Sequence, residues 1–373
     1  MSIKRWIWQH QLYPTFPYDY KALDSILTQV AHNIGLLKGK ISILNKNNTN
    51  SIQIDTITNE IIASSKIEGE VLNRDSVRSS VCKKFKNSFN LKDKSTHHTD
   101  NLVEILIDSS FNPKPLTKNR LHSWHGALFP TGYSGLVRIK VAKFRNEEMN
   151  IVSNQGYKDK IYYQAPPPKE IDNQIDKLLD YINNSKDNPF VKSAIAHLWF
   201  VTIHPYDDGN GRIARVITNY ILSKELGLDY KYFSISTAVI NDKKRYYEIL
   251  EKTNKLHTKR AYDFTEWILW HTNMLNNATL ESLKNIDIVV KKAKFWDKAK
   301  EFKLNEKQIK VLNKLLDAGE NGFKGALTNK KYRSITKTSQ ITASRHIKDL
   351  VNKNLLKEVP GFGGRSTKYE IEW

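Results

Sequence analysis

Residues Ala194–Leu222 read AIAHLWFVTI, HPYDDGNGRIAR, VITNYIL: two apolar stretches on either side of a polar loop. The loop, His204 to Arg215, holds Pro205, Gly209, Asn210 and Gly211, residue types that end one helix and turn the chain into another. A glycine-rich loop that feeds a helix N-terminus is a place for an anion, because the first-turn N–H groups lack intrahelical partners and the dipole is positive there. Glycine lets backbone approach a phosphate closely. Arg212 and Arg215 are three apart, so both project from the first turns of the following helix toward one anion. Asp208 adds a hard oxygen ligand beside the phosphates, the usual way magnesium is held with a nucleotide. His204, at the other lip, is suited to take a proton from an incoming hydroxyl. His197 and His204 would share a helix face as a metal pair, but that reading leaves the glycines and arginines unexplained.

The 373 residues carry 59 Lys+Arg against 39 Asp+Glu, a net charge of +20, with 39% hydrophobic residues and one cysteine. These figures exclude a disordered tail, a collagen and a disulfide scaffold, and they suit a chain of two or three domains. A lone Cys82 fits a reducing compartment. Without an apolar run of membrane-spanning length, and with a start that lacks the apolar stretch of a signal peptide, the expectation is a cytoplasmic protein with no membrane partner. Residues 291 to 373 hold 17 Lys and 3 Arg against 9 acids, a local +11. That is the electrostatic footprint of a module that meets phosphates.

Working outward, apolar spacing of three and four at Leu23, Ile26, Leu27, Val30, Ile34, Leu37 and at Ile175, Leu178, Leu179, Ile182 predicts helices. Polar stretches at Asn45 to Asn50, Lys86 to Asp100, Asn183 to Asn188 and Asn273 to Asn277 are each able to end an element. Arg138 to Ala165 alternates, is broken by SNQG and closes on Pro166-Pro167-Pro168, which predicts a β-hairpin. The fold class is therefore mainly α.

HPYDDGNGRIAR resembles the signature of the Fic family, His-x-Phe-x-Asp/Glu-Gly-Asn-Gly-Arg-x-x-Arg, with Tyr206 where Phe is usual. The resemblance implies a Fic-fold helical core and a protein adenylyltransferase that moves AMP from magnesium-ATP onto a Ser, Thr or Tyr hydroxyl of a target protein. On that reading His204 is the general base, Asp208 binds magnesium, Gly209, Asn210 and Gly211 form the anion hole, and Arg212 and Arg215 hold outer phosphates. The core position of Tyr206 means that its added hydroxyl needs a partner. Residues 138–165 resemble the flap that lines up the target by strand addition. A kinase-like branch of the fold loses the second loop glycine; here Gly209 and Gly211 are both present, which favours AMP transfer.

Upstream, SSKIEG places Ser64, Glu68 and Gly69 in the fixed positions of the family's inhibitory motif at the end of a helix. The resemblance implies that Glu68 pairs with Arg215 where a γ-phosphate should sit. The same carboxylate could instead orient water for AMP removal. The aromatic opening, WIWQHQLYPTFPYDYKAL, resembles the N-terminal domain joined to such cores, and its aromatics read as packing. With SVRSSVC (Ser76 to Cys82) and WHGALFPTG (Trp124 to Gly132), the similarity extends over most of residues 1–280; His122 and His125 read as core or surface groups.

The C-terminal region changes pattern. Helices around Leu304 to Leu316, Leu327 to Ile335 and Ser339 to Val351 precede strands at Leu355 to Val359 and Thr367 to Ile371, an order that resembles a winged helix-turn-helix. The third helix would present Gln340, Arg345 and Lys348 to DNA, and Arg365 would reach phosphate from the wing. Winged helices also dock proteins. The expected domains are 1–100 (inhibitory motif 64–69), 101–280 (flap 138–165, motif 204–215) and 300–373. The alternative from a different class is a DNA-binding regulator whose nucleotide pocket only senses. Self-modification and homodimerisation are carried over from the resemblance.

Overall fold

The computed structural model describes residues 5–85, 93–153, 160–227, 232–256, 261–317, 325–364 and 367–373. The chain divides into two compact units, Met1–Ser282 and Leu283–Trp373.

The first unit is helical: α1 (Tyr20–Ser42), α2 (Lys46–Ile67), α3 (Arg74–Lys84), α4 (His97–Phe111), α5 (Lys118–Leu128), α6 (Ile171–Asn184), α7 (Pro189–Ile203), α8 (Asn210–Leu226), α9 (Ile235–Asn241), α10 (Lys243–Asn254) and the first part of α11 (Thr265–Ala299). Between α5 and α6 lie two short antiparallel pairs, β1 (Tyr133–Ser134) with β2 (Val137–Arg138), and β3 (Asn150–Ser153) with β4 (Lys160–Gln164). Helix α7 is the centre. Every residue from Phe190 to Ile203 is buried, as an apolar-all-round sequence requires. Asn188 caps its start by accepting from Phe190 N–H, with Pro189 at the first helical position. It packs on α6 and α8, and α8 on α4 and α2.

Three expectations change in detail. The span 138–165 is not one hairpin: Arg138 pairs with Tyr133 in β1–β2, and only Asn150–Gln164 forms the second pair, Asn150↔Gln164 to Ser153↔Lys160. Residues 139–149 between them run as loop, drawn inward by the buried Arg145. Most of SNQG lies outside the described residues. Second, Asn273–Asn277 ends nothing, because α11 runs through it. The amides find partners without breaking the helix: Asn273 Nδ2 donates to its own Leu269 carbonyl (2.8 Å), and Asn276 Oδ1 accepts from buried Asn33 Nδ2 (2.8 Å). Third, the break at Asn45–Asn50 shrinks to a cap: Asn45 accepts from Asn48 N–H and α2 starts at Lys46.

The second unit holds the last part of α11, then α12 (Glu306–Leu316), α13 (Asn329–Thr336), α14 (Gln340–Asn352) and the antiparallel pair β5 (Leu356–Glu358) and β6 (Tyr369–Ile371). Leu327 bridges to Tyr369 beside that pair. Its core gathers Val311, Leu312, Leu327, Tyr332, Ala343, Ile347, Leu350 and Leu355. Among the described residues, no helix is long and apolar enough to cross a membrane.

Removing the buried amide at position 276 leaves Asn33 without its acceptor. Asn276→Ala is expected to lower stability by about 1–3 kcal/mol, read as a lower urea midpoint at unchanged slope.

Candidate active site

His204 closes α7 in a left-handed conformation, φ 50° and ψ 59°. Its Nδ1 lies 3.1 Å from the Val201 carbonyl oxygen. A carbonyl only accepts, so Nδ1 carries the proton and Nε2 keeps its lone pair. Burial pushes the imidazole down to about 4, which leaves it neutral near pH 7.

The turn that follows is held from several sides. Asn210, buried, accepts the Tyr206 N–H with Oδ1 (3.0 Å) and donates Nδ2 to the Tyr206 carbonyl (2.7 Å). Tyr206 is fully buried, and its hydroxyl has the partner that its sequence position demands, His122 Nδ1 at 3.0 Å. Its ring stacks on His125 at 4.0 Å. His125 donates from Nε2 to the Asp208 carbonyl (3.1 Å) and accepts the Ala142 N–H at Nδ1 (3.0 Å), which fixes its tautomer. Asp207 accepts the Lys140 N–H (2.9 Å), and the Asp208 carboxylate accepts from the Ser134 hydroxyl and from Gly209 N–H.

Helix α8 then begins at a glycine with φ +80°, where a Cβ would sit 2.8 Å from Phe129 Cε2; Gly209 is needed for both reasons. Gly211 needs smallness for another: a Cβ there would lie 2.4 Å from Glu68 Oε1. From the first turns, Arg212 lies over the Phe129 ring (4.8 Å) and donates Nη1 to Glu70 (3.1 Å). Arg215, 3% exposed, donates Nε to Ser64 Oγ (3.0 Å) and Nη2 to the Ser64 carbonyl (3.0 Å) and to Glu68 Oε1 (2.7 Å).

The carboxylates arrive from the end of α2. Gly69 at φ +87° takes the left-handed cap position, with Gly69 N–H to Lys66 O and Glu70 N–H to Ser65 O (3.0 Å). The reversal brings Glu68 and Glu70 against Arg215 and Arg212 respectively. Glu70 is held below the usual carboxylate range first by its bond to His98 (2.8 Å), then by the charge of Arg212. The motif's spacing marks Ser64, Glu68 and Gly69 but not Glu70. The only local signal was its place one residue past the cap glycine.

His204, Asp208, the loop, Arg212, Arg215, Ser64 and Glu68 thus come together, and residues 115–222 match the profile of the Fic/DOC family. The chain carries a Fic/DOC domain. Residues 6–86 match a second profile, a domain of unknown function, DUF4172. Over 100 residues the chain is 41% identical to a probable protein adenylyltransferase of Aquifex aeolicus, a match that spans 26% of this chain and 26% of that one. In fold it is similar to a Fic family protein from Desulfovibrio desulfuricans G20, at 17% identity and TM-score 0.57, covering 96% of this chain and 98% of that one. It is also similar to a Fic-domain-containing signalling protein from Bacteroides thetaiotaomicron, at 20% identity and TM-score 0.53, covering 71% and 97%.

The DUF4172 region meets the Fic/DOC domain at a second place. Trp6 packs edge-on against Tyr163 of β4 (5.3 Å), and Trp8 donates to the Gln164 carbonyl (2.8 Å). The opening aromatics are packing groups here, with Met149 and Ile151 against them. Val152 and Ile161, opposite each other on β3 and β4, are each 46% exposed. In the second unit, Gln340, Arg345 and Lys348 are exposed on α14, and Arg365 lies outside the described residues.

Buried imidazoles weaken the fold in acid. His125, His204 and His271 are pushed down to about 4 and His197 well below its ordinary value, each chiefly by burial. The unfolded chain takes up protons near pH 6.5 that the native one refuses, so stability declines as pH falls from about 6.5 toward 4. Urea midpoints are expected to drop over that range. His271→Phe, which removes a ring whose two nitrogens have no partner among the described residues, is expected to flatten the drop.

Proposed function

We propose that the protein is an adenylyltransferase that transfers AMP from ATP to a Ser, Thr or Tyr hydroxyl of a protein, and that its resting state is inhibited. The observation that carries this reading is the neutral His204, its Nδ1 proton on the Val201 carbonyl and its Nε2 lone pair without a hydrogen-bond partner among the described residues, next to a helix N-terminus flanked by Arg212 and Arg215. The target hydroxyl gives its proton to His204 Nε2 as its oxygen bonds to the α-phosphorus; the bond to the bridging oxygen breaks and pyrophosphate leaves. Gly209, Asn210 and Gly211 cradle the inner phosphates, and Arg212 and Arg215 neutralise the outer ones. The exposed Val152 and Ile161 offer an apolar face on the hairpin for the target segment.

Among the described residues no three His, Cys, Asp or Glu gather as a metal cage. One carboxylate beside a phosphate site is nevertheless the usual donor set for magnesium, which keeps phosphate oxygens and waters as its other ligands. Asp208 would hold it, and the ion would add positive charge to the triphosphate.

Inhibition rests on the carboxylates that already occupy both guanidinium groups. A charge-assisted bond such as Glu68–Arg215 is worth roughly 1.5–3 kcal/mol, or about tenfold to a hundredfold in productive ATP binding. Glu68→Gly is expected to raise incorporation of label from α-labelled ATP by that factor. Adding Glu70→Gln should give about threefold more, since the longer Glu70–Arg212 bond, 3.1 Å against 2.7 Å, contributes less. Label from γ-labelled ATP alone would point to phosphoryl transfer, and His204→Ala should abolish labelling while ATP still binds.

The second unit is proposed to be a winged helix-turn-helix that binds DNA, with α14 as the recognition helix. Support comes from the +11 over residues 291–373 and from the exposure of Gln340, Arg345 and Lys348. Arg345→Ala with Lys348→Ala is expected to weaken gel retardation at low salt and to reduce its salt dependence; unchanged retardation would remove that role.

A further inference from the structure

Arg145 lies in the loop before β3, far in sequence from the loop that defines the site, and is only 3% exposed. Its guanidinium meets backbone carbonyls. Nε donates to His204 (2.8 Å), Nη1 to Glu147 (2.7 Å), and Nη2 to Pro166 (2.6 Å) and, at 3.4 Å, to Ile203. Its own N–H donates to the Pro205 carbonyl (2.8 Å).

These acceptors fall into two groups. Ile203, His204 and Pro205 are the end of α7 and the start of the turn. Glu147 and Pro166 flank the β3–β4 hairpin on its two sides, and Ala165 N–H to Met149 O closes the root between them. The hairpin makes a further bond to the same helix end, from the buried Tyr163 hydroxyl to the Thr202 carbonyl (2.6 Å). Together with His204 N–H to Phe200 O and His204 Nδ1 to Val201 O, every carbonyl from Phe200 to Pro205 has a donor.

We propose that Arg145 is a positioning residue that holds the proton acceptor His204 and both roots of the β3–β4 hairpin in a single frame. A helix C-terminus favours a cation, and a planar fork with five donors reaches several carbonyls that one ammonium cannot. If the hairpin aligns the target and His204 takes its proton, the distance between them is set through this guanidinium. Misplacement of about 1 Å between reacting groups costs on the order of a hundredfold in rate. Arg145 makes none of its described contacts with the Gly209–Gly211 loop, Arg212 or Arg215, so nucleotide binding should not depend on it.

The inference rests on the adenylyltransferase reading and is tested in the full chain carrying Glu68→Gly. The measurement is AMP incorporation from α-labelled ATP into the chain and a cell lysate, counted per nucleotide-binding site. Adding Arg145→Lys is expected to lower the maximal rate about 30- to 100-fold while KM for ATP stays within twofold. Tyr163→Phe, which keeps the ring and removes one bond, is expected to lower it about fivefold, again at unchanged KM. A maximal rate per site within threefold of the Glu68→Gly parent for Arg145→Lys, or a KM for ATP that rises in step with the loss, overturns the proposal. Should Arg145→Lys fail to fold, read as loss of its urea transition, Tyr163→Phe decides: the fivefold loss supports the shared frame and a parental rate overturns it. No labelling by the Glu68→Gly parent itself removes the adenylyltransferase reading, and the role of Arg145 with it.

Discussion

Two helix ends of opposite polarity face each other across the turn from His204 to Gly209, and the rest of the site depends on how each is satisfied. The carbonyl end of α7 would repel an anion if left bare. Arg145, Tyr163 and the His204 ring take up its oxygens, so that the negative end is covered. The N–H end of α8 is treated the other way. Its entry residue is a glycine pressed against Phe129, its first side chain is spent on locking the turn, and Arg212 and Arg215 add charge beside it. Covering one end and leaving the other open gives this helix-loop-helix the form that the proposed anion site needs, with an imidazole at its lip.

The N-terminal DUF4172 region touches that site from two directions. Its carboxylates, Glu68 and Glu70, meet the two arginines, and its tryptophans, Trp6 and Trp8, meet the strand whose tyrosine covers the end of α7. A shift of α2 would therefore free the arginines, and a shift of the opening segment would loosen the hairpin. Both contacts link a region of no assigned function to the atoms that would do the chemistry. The basic second unit is built around its own apolar core, which lets its surface carry positive charge without cost to the first unit's packing.

Much of the site was legible because it is local. The anion loop, the arginines three apart and the Glu-Gly helix stop each depend on neighbours within a turn or two, and backbone geometry alone limits what such spacings can do. The helices were legible from apolar periodicity. A polar run marks no boundary where its amides find partners inside the fold, as Asn273 and Asn276 do. The hairpin is shorter than the alternation predicts for a similar reason. Alternation between Arg138 and Met149 looked extended, but a buried cation at Arg145 pulled that stretch out of any sheet.

What the sequence by itself determined is which groups are gathered: a glycine-rich helix start, two guanidinium groups and an imidazole within twelve residues, the set on which the proposed chemistry rests. Only the tertiary structure decided which distant groups complete it. Glu70 reaches Arg212 across 142 positions, Arg145 reaches His204 across 59, and Tyr163 reaches Thr202 across 39. A glutamate, an arginine or a tyrosine leaves no periodic mark in a chain, because its partner is chosen by how helices pack and not by spacing along the backbone.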